Sequence, residues 1–217
     1  HFESGRNHNV LSYEYQERIA VRLGYRDSEH GEAAENLMRD YFLNAGEIYR
    51  RASVWEEAIA GRPNQFSVQS DFSDPFEMLE TFAEAHRRKI KLDPGTLARM
   101  RRRITGLGSV LANHPRAGAM VLEMMRDRAG IYDTLHAMHE VGLLGAIFPD
   151  FEEIRRRVIR DFFHKYTVDE HSLLAVGRAE AFAQDQGVIG QVYREIPRKD
   201  LLHLAVLLHD LGKGREE

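Results

Sequence analysis

Helix-start signals recur along this chain more regularly than any other feature, and they commit it to an architecture of packed helices. Asp74-Pro75-Phe76-Glu77 sets an N-cap acid before a proline at the first helical position, with an acid close behind. Asp93-Pro94 opens another helix in the same way. Thr167-Val168-Asp169-Glu170 fits a capping box ahead of an apolar-periodic run through Phe182. Between these starts, apolar residues repeat at helical spacing, as in Leu11, Tyr15, Ile19 and Leu23, and in Leu79, Ala83 and His86 or Arg87. One stretch alternates instead, with Phe66, Val68 and Phe72 on one parity and Gln65, Ser67 and Gln69 on the other. The expected fold is all-α, a helical bundle segment with at most one short strand or hairpin near 64–72.

Charge and composition remove several classes of function. Lys plus Arg is 30 against 34 Asp plus Glu, a formal charge of -4, so a strongly basic nucleic-acid scavenger is excluded. Nucleic acid is therefore not the expected partner. The runs Arg87-Arg88-Lys89, Arg101-Arg102-Arg103 and Arg155-Arg156-Arg157 read as exposed helix faces. With no cysteine, disulfide scaffolds, Cys-ligated zinc and thiol nucleophiles are out. The most apolar stretch, Leu201 to Leu211, is interrupted by His203, His209 and Asp210. It falls far short of the ~20 residues a spanning helix needs. No membrane association and a cytoplasmic location are the expectations. The start, His1-Phe2-Glu3-Ser4-Gly5-Arg6, has neither an initiator Met nor a signal pattern, so the chain is expected to be part of a longer protein.

The sharpest chemical signal is His209-Asp210, which ends the apolar helix Leu201 to Leu208 and precedes Leu211-Gly212-Lys213. A histidine and a carboxylate at the end of a buried helix are costly to desolvate without a partner. A divalent cation suits both donors. Taken alone, the dipeptide is better explained as a helix-end histidine on the dipole beside a turn-capping Asp. His171, 38 residues earlier on a separate helix, shifts that balance, because bundle metal sites draw ligands from several helices. Other histidines are weaker candidates. His136 and His139, at i and i+3, read as a solvated helix face. His203 lies on a different face from His209 and reads as packed or superficial. Met120, Met124 and Met125 read as core.

The pattern of His171, then His209-Asp210, resembles the opening half of the HD phosphohydrolase superfamily. A narrower resemblance follows from Asp161-Phe162-Phe163-His164-Lys165-Tyr166-Thr167-Val168-Asp169-Glu170-His171, which is similar to the bacterial protein-PII uridylyltransferase/uridylyl-removing family. Leu208-His209-Asp210-Leu211-Gly212-Lys213-Gly214-Arg215 is similar too. So are Arg22-Leu23-Gly24-Tyr25-Arg26-Asp27 with Met38-Arg39-Asp40-Tyr41-Phe42, and Glu140-Val141-Gly142-Leu143-Leu144-Gly145 with Phe148-Pro149-Asp150-Phe151. The matches run in order across nearly the whole chain. Two positions depart from the family: Val158-Ile159-Arg160 replaces a Gln-containing stretch, and Gly212 stands where many members carry Ala.

The resemblance implies a bifunctional nitrogen-regulatory enzyme that adds uridylyl groups to a PII-type signal protein and removes them. It implies that 1–150 is the helical segment following a nucleotidyltransferase head, and that 151–217 is the N-terminal half of an HD domain. The head is not seen here, since no Gly-Ser with paired-Asp spacing occurs. UTP, UMP and glutamine would be engaged through other parts of the full-length enzyme. His171, His209 and Asp210 would hold a divalent metal, Mg or Mn, that activates water against the uridylyl-tyrosine phosphodiester. Lys213 would stabilise developing negative charge, and His164 is a candidate proton-transfer or supporting group. Two alternatives remain open: a non-catalytic helical docking module, and an RNA-handling nucleotidyltransferase relative with an HD domain.

Overall fold

The computed structural model describes residues 11–28, 31–60, 65–127, 129–155, 157 and 167–214. Eleven α-helices run through the described residues, with one pair of two-residue strands, so the chain is all-α as expected. It divides into two compact units, residues 1–60 with 156–167, and 61–155 with 168–217.

The first unit contains α1 (Tyr13–Arg22) and α2 (Ala33–Ala60), packed on Ala20, Ala34 and Leu37 with Ile19, Tyr25 and Ala33 around them. The small alanines let the two backbones approach. Asp27 Oδ1 accepts from Ala33 N–H at 2.9 Å and so caps α2. Leu23, expected on the apolar stripe of α1, is instead exposed. The helix ends at Arg22, and Gly24 at φ 87° turns the chain away before the stripe can continue.

The second unit is built on α3 (Pro75–Arg88), α4 (Pro94–Leu107), α5 (Pro115–Met124), α6 (Ile131–Val141), α7 (Leu143–Ile147), α8 (Pro149–Glu153), α9 (Val168–Ala181), α10 (Val188–Glu195) and α11 (Lys199–Leu208). The Asp-Pro starts of α3 and α4 work as their chemistry requires. Asp74 Oδ1 accepts from Phe76 N–H at 2.9 Å, and Asp93 Oδ1 accepts from Gly95 and Thr96 N–H. α6 lies at the centre and packs against α3, α4, α7 and α9. Leu135 and Met138 on α6, Leu144 on α7, Phe151 on α8 and Leu173 on α9 are all fully buried.

The expected strand appears as β1 (Gln65–Phe66), but it is not a hairpin. Its partner is β2 (Lys91–Leu92), in parallel, with α3 as the crossover. The parity holds over most of the stretch, with Phe66 and Val68 half-buried, Phe72 buried and Ser67 and Gln69 exposed, but Gln65, expected to face outward, is half-buried as Phe66 is. α4 satisfies the extended backbone here: Thr96 Oγ1 accepts from Val68 N–H at 3.1 Å, and Arg99 donates to the Val68 carbonyl.

The start of α11 is anchored by an almost wholly buried carboxylate. Asp200 accepts from Arg198 Nη2 at 2.8 Å and lies 3.6 Å from Arg126 Nε. Hydrogen bonding to the Arg198 guanidinium holds its carboxyl at about 2, below the ordinary 3.8. A depressed carboxyl stabilises the fold above its unfolded value and loses that contribution as pH falls through the folded one. Asp200→Asn is therefore expected to remove part of the acid-induced fall in melting temperature between about pH 4 and pH 2. Melting curves of both proteins across that range check it; parallel acid limbs would contradict it.

Candidate metal centre

α9 and α11 pack on each other, and this brings residues 38 apart in sequence to one place. His171 stands in the first turn of α9. His209 occupies the C-cap of α11 and Asp210 follows it. The chain then tightens into a 3-10 turn over Leu211–Gly214, where Lys213 N–H donates to the Asp210 carbonyl at 3.0 Å. A side chain at Gly212 would meet nothing within 4 Å, so glycine is not needed for space there.

Asp210 Oδ2 is the point of convergence. His209 Nε2 lies 3.4 Å from it, His171 Nε2 3.9 Å and Lys213 Nζ 2.9 Å. The two imidazole rings are 5.5 Å apart, and one ligand atom from each of His171, His209 and Asp210 falls within 4.8 Å of the others. Two donors bound to one cation at about 2.1 Å are roughly 3–4 Å apart, so this set could hold a divalent ion. His209 Nδ1 lies 2.7 Å from the Val206 carbonyl. A carbonyl only accepts, so Nδ1 carries a proton, and in the neutral ring Nε2 is then the nitrogen with the lone pair, on the side of Asp210. The Asp210 side chain is nearly buried, whereas those of His171 and His209 are about a third and two-fifths exposed. Both imidazoles are thus partly open to solvent.

The other sequence candidates separate clearly. His164 lies outside the described residues, as does the stretch Asp161 to Tyr166 of the long motif. Lys213 contributes its charge to Asp210 through the contact above. His203 is packed, with no exposure, between the Tyr193 hydroxyl at 3.0 Å and the Met125 carbonyl at 2.9 Å. The arginine runs serve neighbouring groups: Arg87 and Arg88 pair with Glu84, Arg101 donates to the Glu140 carbonyl, and Arg103 donates to the Asp71 carbonyl.

The solvated face expected at His136 and His139 is corrected for His139. Its ring is buried, and Nε2 meets Asp169 Oδ2 at 2.9 Å. Because α6 is covered by helices on several sides, this part of it never reaches solvent. His136, half-buried, lies 3.6 Å from Glu170. Burial pushes the Glu170 carboxyl above its ordinary range; the charge of His136 opposes this and that of Asp169 adds to it. In the sequence, Asp169 and Glu170 stand out as capping-box residues and as part of the Asp161 to His171 run. Nothing local links them to histidines some 30 positions earlier.

Two family models and several relatives match this chain. The family model for the uridylyltransferase GlnD third domain matches residues 67–147, and that for GlnD PII-uridylyltransferase matches residues 1–53. A bifunctional uridylyltransferase/uridylyl-removing enzyme of Azospirillum brasilense is 29% identical over 250 aligned positions, covering 99% of this chain and 27% of the relative. Enzymes of the same name from Phenylobacterium zucineum and Methylococcus capsulatus are 31% and 27% identical, covering 99% and 100% of this chain.

The chain belongs to the GlnD uridylyltransferase family.

It spans only 27–28% of the length of these relatives. No solved structure gives a significant match. The GlnD third-domain match takes in α3 to α7, including His136 and His139, while His171, His209 and Asp210 lie C-terminal to it.

Proposed function

We propose that this chain forms part of a bifunctional enzyme that transfers uridylyl groups from UTP to a PII-type signal protein and removes them again. Within it, the trio His171, His209 and Asp210 serves the removal reaction by holding a divalent cation, Mg or Mn. The observation that carries this reading is the convergence of two imidazole nitrogens and one carboxylate oxygen within 4.8 Å. When bound, the cation supplies an acidified water and a clamp on phosphate oxygens. The protein's own groups prepare the site for it. The bond from His209 Nδ1–H to Val206 fixes the tautomer. The Lys213 ammonium beside Asp210 supplies positive charge for the phosphodiester that is cleaved. Residues from 151 onward supply the first half of an HD-type domain in this reading, and glutamine acts through parts of the enzyme outside this chain.

The test separates the two reactions in the full-length enzyme. The double variant His209→Ala, Asp210→Ala is expected to lose uridylyl removal from the modified signal protein while keeping uridylyl transfer. Unchanged removal in that variant would refute the role of the site.

A further inference from the structure

The buried pair His139–Asp169 has no part in the reaction as described so far. A buried polar pair of this kind is also a poor device for stability alone, because desolvation offsets most of its attraction and an apolar pair of similar volume serves as well. What such a pair adds is direction. Apolar side chains tolerate rotation of one helix against another, whereas a hydrogen bond of 2.9 Å between two enclosed groups does not.

We propose that His139 and Asp169 are positioning residues that set the rotation of α9 about its axis and thereby place His171 opposite His209 and Asp210. The inference rests on reading that trio as a metal centre. Asp169 and His171 share the first turn of α9, so fixing the Asp169 carboxylate on α6 fixes the base of His171. His139 is itself held: its ring stands edge-on to the fully buried Phe151 at 5.6 Å and 89°, and Arg155 donates to its carbonyl at 3.2 Å. His136 and Glu170 form a looser outer contact between the same helices. Further along, Gly177 admits the Tyr132 ring so closely that a Cβ would sit 3.1 Å from it, which holds α9 against α6 at a second point. Magnitude explains why rotation matters. A side-chain atom about 6 Å from a helix axis moves by about 1 Å for a turn of about 10°. Ligand bonds to a metal tolerate only about 0.2 Å.

The experiment measures Mn2+ binding to the full-length protein by electron paramagnetic resonance, alongside melting temperature. His139→Leu is expected to weaken Mn2+ binding on the order of 10- to 100-fold, the range seen when groups that orient a ligand are lost. His139→Gln keeps an N–H donor near the position of Nε2 and is expected to stay within about threefold of the parent, the smaller loss that a kept hydrogen bond implies. His139→Asn is too short to reach Asp169 and is expected to weaken binding as His139→Leu does. The Asn and Gln pair decides the matter if the Leu variant does not fold. Adding Asp169→Asn to His139→Leu is expected to cost nothing more, because the pair acts as one device.

If the pair matters only through charge, His139→Leu leaves the Asp169 carboxylate intact and Mn2+ binds as well or better, which overturns the proposal. If the pair is merely structural, the melting temperature falls with Mn2+ affinity unchanged, as expected for the control Tyr193→Phe, and the proposal is overturned again. Absence of Mn2+ binding in the parent protein would sink the metal reading itself and this inference with it. That result is distinct from a parent that binds and variants that bind equally.

Discussion

Asp210→Asn is expected to lower the rate of uridylyl removal about a thousandfold, with uridylyl transfer and melting temperature little changed. Asn keeps the shape of Asp and one accepting oxygen, so packing at this nearly buried position survives. The negative charge is lost, and three groups converge on that charge: His171 Nε2, His209 Nε2 and Lys213 Nζ. A bound divalent ion supplies several kcal/mol of charge stabilisation during hydrolysis. Losing about 4 kcal/mol of it corresponds to about three powers of ten in rate. Assaying removal across a series of Mn2+ concentrations checks the cause. Partial recovery at high Mn2+ is expected, because two imidazole donors remain. A variant that hydrolyses normally would show that the carboxylate belongs to the fold alone.

His203→Ala is expected to cost about 4 kcal/mol of stability, the largest loss from any single histidine among the described residues. The imidazole has no exposure and joins three segments. Nδ1 donates to the Met125 carbonyl at the end of α5, since a carbonyl only accepts, and in the neutral ring Nε2 then accepts from the Tyr193 hydroxyl of α10. The alanine variant leaves a carbonyl and a hydroxyl buried without this partner and opens a cavity among α5, α10 and α11. Tyr193→Phe breaks one of the same hydrogen bonds but keeps the volume, so it is expected to cost only about 1–2 kcal/mol. Denaturant unfolding of the three proteins gives the comparison. A His203→Ala cost no larger than that of Tyr193→Phe would mean that the site collapses around the missing ring.

The parts of this fold legible from the sequence are those whose causes are local. Asp74-Pro75 and Asp93-Pro94 start helices because a carboxylate reaches amides two or three residues ahead, whatever lies elsewhere. The inward parity of Phe66, Val68 and Phe72 is equally local. The partner of β1 was not legible, because strand pairing across α3 is settled by where that helix packs and not by residues 64–72. His139 misled for a related reason. Spacing i, i+3 on a charged helix describes a surface unless other helices cover it, and α6 is covered by helices drawn from both earlier and later sequence.

The candidate metal centre divides in the same way. His209-Asp210 at the end of an apolar helix and His171 in a capped first turn were visible as residue types at helix ends, since helix ends are written in short-range sequence. Their approach to a common oxygen, the lysine that shares it, and the His139–Asp169 contact behind α9 came from helix against helix. Such packing depends on the summed burial of many side chains far apart in the chain, and no window of sequence contains that sum.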